Sequence, residues 1–274
     1  MAAGAHVFDV VVEGADAAAF VAAIECARIG LRVAVIPGSP PEPFVPQSFS
    51  NHGGIIAGLC DEFSVPYSVH EVSVQELVIA GVPANPFSTA VRATLGWRGA
   101  WRIYADRLLP LLAIGNEEHF RRVVTKRLGG RAVTKLVAPW IKAQLGITDL
   151  NVAMVEIAPG LSQAMSRVGS LTAGVLELVA DDPGWAQTIS ISGGTEVLLE
   201  ALRERMDYFA VQAPSQKAAA KITSTFTIDS AHASPEAPTW ERAIVRAREL
   251  AAAARATVLS DPEKPPVGPI DLAR

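Results

Sequence analysis

The stretch DVVVEGADAAAF, Asp9 to Phe20, constrains the fold more than any other part of the sequence. Val7 to Val12 is a β-branched run interrupted once, by Asp9, and it reads as a buried strand. The run ends at Gly14. Good helix formers follow from Ala17 to Ile29 and close at Gly30, with Arg28 in the last turn. Leu31 to Ile36 makes a second strand, halted by PGSPPEP. Strand, helix and strand in such quick succession form a βαβ unit, and its two strands should lie parallel. The fold class predicted is α/β, with a Rossmann-like domain at its centre.

Further along, five prolines in the thirteen residues from Pro37 to Phe49 exclude regular structure. His52 to Phe63 reads as a short helix, Val72 to Ile79 as a strand or hairpin arm, and GVPANPF as a turn. From Ser88 to Val179 the pattern is helical, in pieces separated by glycine and proline. ISISGG, Ile189 to Gly194, reads as strand then turn, and TEVLLEALRERM as an amphipathic helix capped by Thr195. Lys221 to Ile228 suits a strand, and Trp240 to Val258 an alanine-rich helix. The predicted organisation is a Rossmann-like domain from 1–87 with about 187–260, a helical domain at 88–186, and a disordered, proline-rich tail at 261–274.

Half of the 274 residues are hydrophobic, enough for a sizeable core. Cys26 and Cys60 match no metal or redox spacing and read as small buried hydrophobes in a reducing compartment. The five histidines form no pair at metal spacing, so no metal site is expected. No nucleophile elbow is present either. Asp9 and Glu13 break the N-terminal apolar segment, and no apolar run reaches the ~20 residues of a membrane span. These features predict a cytoplasmic protein, soluble or peripheral to a membrane.

The formal charge of -4 conceals a strong segregation. Residues 1–91 sum to -7, 92–142 to +8, and 143–210 to -6. An anionic partner facing the basic middle is one reading, and a solvated surface between two acidic neighbours is the other. Within it, Trp97 and Trp101 stand four apart beside Arg98 and Arg102. They form either an aromatic stripe buried on the core or an interfacial face, with tryptophan at headgroup level and arginine on phosphate. Arg121, Arg122 and Arg127 could likewise meet lipid, a propionate-bearing tetrapyrrole or an acidic protein. Nucleic acid is not expected, because the chain is acidic overall and has no recognition motif.

In this order the pieces resemble the flavin-dependent protoporphyrinogen/coproporphyrinogen oxidases of haem synthesis, within the amine-oxidase-like FAD superfamily. Three stretches carry the resemblance: FDVVVEGADAAAFVAAIECARIGLRVAVIPGSP, the long helical block that follows GVPANPFST, and ISISGGTEVLLEALRERM. It covers roughly residues 7–206. It implies an FAD-binding βαβ unit with a helical insertion, and a chemistry performed by the flavin with no catalytic side chain of the protein required.

Four features depart from that pattern. The fingerprint G-x-G-x-x-G reads Gly14, Asp16 and Ala19 here. Ala19 is small enough for helix–strand packing, but a carboxylate at position 16 enters the anion site. Two unit charges ~4 Å apart repel by about 4 kcal/mol at an effective dielectric of 20. Asp16 is instead suited to cap the helix. Pro37 stands where an acidic residue should meet the ribose, the loop after it lacks arginine, and only about 68 residues follow Met206, so the chain is short for the family. These departures predict a non-catalytic homologue in haem synthesis that does not bind FAD and acts through a haem-pathway protein, a tetrapyrrole or a membrane surface. The alternatives are an active FAD-dependent porphyrinogen oxidase using oxygen, and a binder of another small ligand in the Rossmann crevice.

Overall fold

The structure is a computed structural model that describes residues 7–36, 46–109, 119–214, 223–228 and 239–260. Pro37 and the predicted tail at 261–274 lie outside the described residues. The chain divides into two compact units, Met1–Pro43 with Glu196–Arg274, and Phe44–Thr195.

In the first unit β1 (Val7–Glu13), α1 (Ala17–Arg28) and β2 (Val33–Ile36) form the expected βαβ element. β1 is central in a parallel three-stranded sheet, flanked by β2 and by β8 (Thr223–Ile228). Phe8 to Val12 are all buried, as a parallel strand covered on both faces requires. Asp9 interrupts the apolar run because it has a dedicated partner. Its carboxylate accepts the Arg32 backbone N–H at 2.8 Å and the Arg32 guanidinium at 3.0 Å and 3.3 Å. That pairing satisfies a 3% exposed charge inside the sheet.

After α10 (Thr195–Tyr208) the chain returns to the free side of β2, where Val35 donates to the Gln212 carbonyl and Gln212 to that of Val33. α1 packs on α11 (Trp240–Leu259), and both helices bury many alanines. Ala243, Ala247, Ala251 and Ala254 make one buried stripe on α11 at helical spacing, and ten of the twelve residues of α1 are buried. Helices with such faces approach at the short end of the usual 8–10 Å range. Cys26 belongs to this interior, and burial pushes its thiol up to about 12.

The second unit combines short sheets with helices. β3 (Phe49–Ser50), β7 (Gln187–Ile191) and β4 (Tyr67–Glu71) form an antiparallel sheet with β7 in the middle. This pairing places residues 44–87 and 187–195 with the helical segment, so the division falls at 43/44 and 195/196 rather than at 87/88 and 186/187. The helix expected at His52 to Phe63 is a 3-10 turn followed by α2 (Ile55–Glu62). The arm expected at Val72 to Ile79 lies earlier, as β4, followed by the two-stranded β5 (Val78–Ile79) and β6 (Val82–Pro83). Thr195 is the first residue of α10 rather than its cap, and its hydroxyl donates to the Pro46 carbonyl.

The helices are α3 (Thr89–Tyr104), α4 (Phe120–Leu128), α5 (Gly130–Ala132), α6 (Ala138–Leu145), α7 (Met154–Ile157), α8 (Leu161–Val168) and α9 (Leu171–Asp181). A π-helical turn, Val133–Val137, joins α5 to α6. Gly81 packs against it with φ +75°, and a Cβ there would stand 2.8 Å from the Val137 Cα, so only glycine fits.

One buried ion pair fastens the core of this unit. Asp106 is 0% exposed and Arg127 1%. Arg127 Nη1 lies 3.5 Å from Asp106 Oδ1, while Oδ2 accepts from the Ser170 hydroxyl at 2.7 Å and the Thr172 amide at 3.0 Å. Asp106 thereby stands at the N-terminus of α9, where a negative charge is favourable. The Arg127 nitrogens make no hydrogen bond, so Asp106 is the guanidinium's one charge partner among the described residues.

Asp106→Asn keeps an acceptor for Thr172 but strands the Arg127 charge, and should lower stability by about 3 kcal/mol. Urea unfolding measures the loss, and adding Arg127→Met should recover most of it. A double variant as weak as Asp106→Asn alone would show that the α9 contacts, not the stranded charge, carry the effect.

Candidate functional site

The turn between β1 and α1 is the site that the sequence singles out. Gly14 has φ +144°, a conformation that glycine adopts readily, and donates its N–H to the Ile36 carbonyl at 3.0 Å. The chain then turns through Ala15 into Asp16, which has extended backbone angles and is the N-cap of α1. Asp16 Oδ1 accepts the Ala19 N–H at 2.8 Å, and the Asp16 carbonyl accepts that of Phe20 at 3.1 Å. Asp16 is 5% exposed, so its carboxylate lies within the turn. Ala19 is buried at 2%, in agreement with its packing role.

The chemistry of that turn follows from its donors. The first amides of a helix and the positive end of its dipole attract one anion. Asp16 supplies it from the chain. A phosphate brought to the same amides meets a fixed carboxylate, with Glu13, half-buried at the end of β1, close by. Pro37, the residue expected at the ribose position, lies outside the described residues.

The basic residues separate into three groups. Trp97, Arg98 and Trp101 are exposed on the second half of α3, after a break at Gly96 (φ 68°, ψ -179°). Arg121 and Arg122 are exposed in the first turn of α4. Arg102 sits at the other end of α4, about 10 Å along a helix of that length. Its guanidinium donates to the Arg127 carbonyl at 2.9 Å and so caps the helix C-terminus. Arg127 itself is a correction to the expected anion-contact set. Phe120, Val123, Val124, Arg127 and Leu128 form the buried face of α4, and position 127 falls where helical periodicity demands an inward side chain. The expectation of a tryptophan stripe buried on the core is likewise not met: Trp97 and Trp101 are 61% and 59% exposed.

A second cluster, unmarked in the sequence, gathers Ser50, His52, Asp182 and Trp185. The His52 ring stacks on Trp185 with centroids 3.9 Å apart and planes 8° from parallel. His52 Nδ1 lies 3.1 Å from the Ser50 hydroxyl. The three residue types of a hydrolytic triad are thus near one another, but not in its geometry. Asp182 spends both oxygens on backbone, accepting the Gly53 and Gly184 amides at 2.8 Å each, and does not orient the imidazole. This cluster latches two loops together. Among the described residues no group of three or more histidine, cysteine or acidic side chains could hold a metal, and no helix is long and apolar enough to cross a membrane.

No family model matches the chain, and no curated protein does. Solved structures do. A protein from Exiguobacterium sp. 255-15, provisionally assigned as a protoporphyrinogen oxidase, matches with a TM-score of 0.50 and 17% identity over 73% of this chain and 51% of that one. An oxidoreductase from Methanosarcina mazei matches at 0.39 and 13% identity, over 75% and 50%. A putrescine oxidase bound to putrescine gives 0.39 and 14%, over 74% and 50%. Over 73% of its length the chain shares the fold of the Exiguobacterium protein, and it spans about half the length of the solved structures it resembles. Asp16 Oδ1 already holds the Ala19 amide at the start of α1, and a second negative charge brought there would be repelled.

Asp16→Ala should cost about 1 kcal/mol in urea unfolding, and Asp16→Gly only a few tenths, since glycine tolerates an N-cap. A stabilising Asp16→Gly would mean that the aspartate is strained rather than capping.

Burial lowers the His52 pKa to about 4, against a smaller raising effect of Asp182. The unfolded state therefore binds the extra proton first. Stability contributed by neutral His52 is complete above about pH 6.5 and is lost as pH falls toward 4, by at most roughly 3 kcal/mol. Comparing urea midpoints at pH 7 and pH 4.5, His52→Phe should show a shallower loss than the parent protein. Parallel losses would assign the acid sensitivity to other groups.

Proposed function

We propose that this chain is a protoporphyrinogen/coproporphyrinogen oxidase-like protein that has given up flavin binding and serves haem synthesis as a non-catalytic homologue. The observation that carries this reading is the Asp16 carboxylate on the Ala19 amide at the start of α1, where the family resemblance implies a pyrophosphate. The fold likeness to the Exiguobacterium protein supports the kinship, and the sequence resemblance supports the pathway. In that family the flavin accepts the hydride and the protein positions substrate against it. Without flavin, the side chains described above offer no nucleophile, acid–base pair or metal to take over the reaction. What remains is recognition: a fold that can hold a partner protein or a tetrapyrrole carrying carboxylates.

The reading predicts that the protein purifies without flavin absorbance and that added FAD leaves its Tm unchanged. A ligand at about 100 times its Kd would stabilise the fold by roughly 2.7 kcal/mol, a shift that thermal unfolding resolves. Stoichiometric FAD in the purified protein, or oxygen consumption with a porphyrinogen, would replace this reading with that of an active oxidase.

A further inference from the structure

Among the described residues of the second unit, Trp97, Trp101 and Leu108 are the most exposed large apolar side chains. Beside Trp97 and Trp101, Leu108 is 77% exposed. Phe87 anchors the group: its ring lies 5.2 Å from Trp101, edge-on, 6.2 Å from Trp97 and 5.6 Å from Tyr104. Trp101 and Tyr104 meet edge to face at 5.5 Å. Single exposed apolar residues are ordinary on a protein surface, whereas a contiguous aromatic cluster marks a contact.

The exposed charges of residues 87–109, the stretch that carries this cluster, are all positive. The Arg92 guanidinium lies over Trp97 at 5.3 Å and that of Arg107 over Tyr104 at 5.9 Å, and Arg98 follows Trp97 directly. These three arginines are exposed, and among the described residues none has an ion-pair partner. Asp106, the one carboxylate between residues 87 and 109, is buried on Arg127. Arginines parked on aromatic faces remain fully charged and free to reach outward.

We propose that this face, built on Phe87 and the second half of α3, binds the surface of a bilayer carrying anionic phospholipid. Indole rings favour the headgroup region, where one edge is wet and the rest apolar, and neighbouring guanidiniums reach the phosphates. A second copy of the chain fits less well, because two-fold pairing of this face would set arginine against arginine. An acidic protein would satisfy the arginines but needs apolar partners for two bare indoles and Leu108 as well. The inference does not depend on flavin binding and stands or falls separately from it.

The test is co-sedimentation of the full chain with vesicles of phosphatidylcholine alone and of equal parts phosphatidylcholine and phosphatidylglycerol. Binding is expected only to the anionic vesicles, with a blue shift of tryptophan emission. It should weaken with salt, because exposed charges are screened beyond ~8 Å at physiological ionic strength. Arg92→Glu/Arg98→Glu/Arg107→Glu should reduce it roughly a hundredfold or more, and Trp97→Ser/Trp101→Ser should remove the blue shift. Urea midpoints close to the parent's establish that both variants remain folded. Absence of vesicle binding, equal binding to uncharged vesicles, or binding that survives the arginine variant overturns the proposal. So does a concentration-dependent dimer that Trp97→Ser/Trp101→Ser dissolves in the absence of lipid binding, which would assign the face to a second copy.

Discussion

The start of a helix at the end of a buried parallel strand can satisfy one anion, and here the anion is covalently part of the chain. Asp16 accepts the Ala19 amide from within the turn, at the cost of leaving that amide to no ligand. An internal carboxylate has a standing advantage over a diffusing phosphate, because it loses no translational freedom on binding. The geometry that makes a dinucleotide fold recognisable thereby becomes self-sufficient. β1, α1 and β2 keep their register, and the first turn of α1 carries its own carboxylate.

The second unit obeys a related rule deeper in its core. Asp106 serves two masters, the Arg127 guanidinium and the N-terminus of α9, so one buried carboxylate fixes the end of one helix against the face of another. Arg102 does the reverse at the surface, where a cation meets the carbonyls that end α4. Together they show why a count of charge along the sequence overstates the basic surface. Two of its arginines are structural, and the exposed remainder is spread from α3 to α6.

Much of the first unit was legible in the sequence because its signals are local. The β-branched run, Gly14, the alanine-rich helix and the Asp16 cap each follow from neighbours in the chain. The central place of β1 between β2 and β8 was not legible, since it depends on pairing across some two hundred residues. Arg127 falls on the apolar face of α4, although its charge alone suggests the surface. The exposed tryptophans and the stack of His52 on Trp185 arise from long-range packing. A break at Gly96 and a loop contact 133 residues away leave no pattern in either neighbourhood.

The seam between α1 and α11 has a consequence of its own. The buried alanines of the two helices are already at the smallest size that retains a Cβ, so variation at them has almost nowhere to go: enlargement wedges the helices apart, and glycine loosens them. Ala19 lies within that buried helix and obeys the same restriction. Two demands usually bundled into one fingerprint are therefore separable. Steric intolerance holds the small residue in place for the sake of the interior alone, while the neighbouring turn is free to change its chemistry. A glycine-poor version of such a turn can consequently sit on an intact domain.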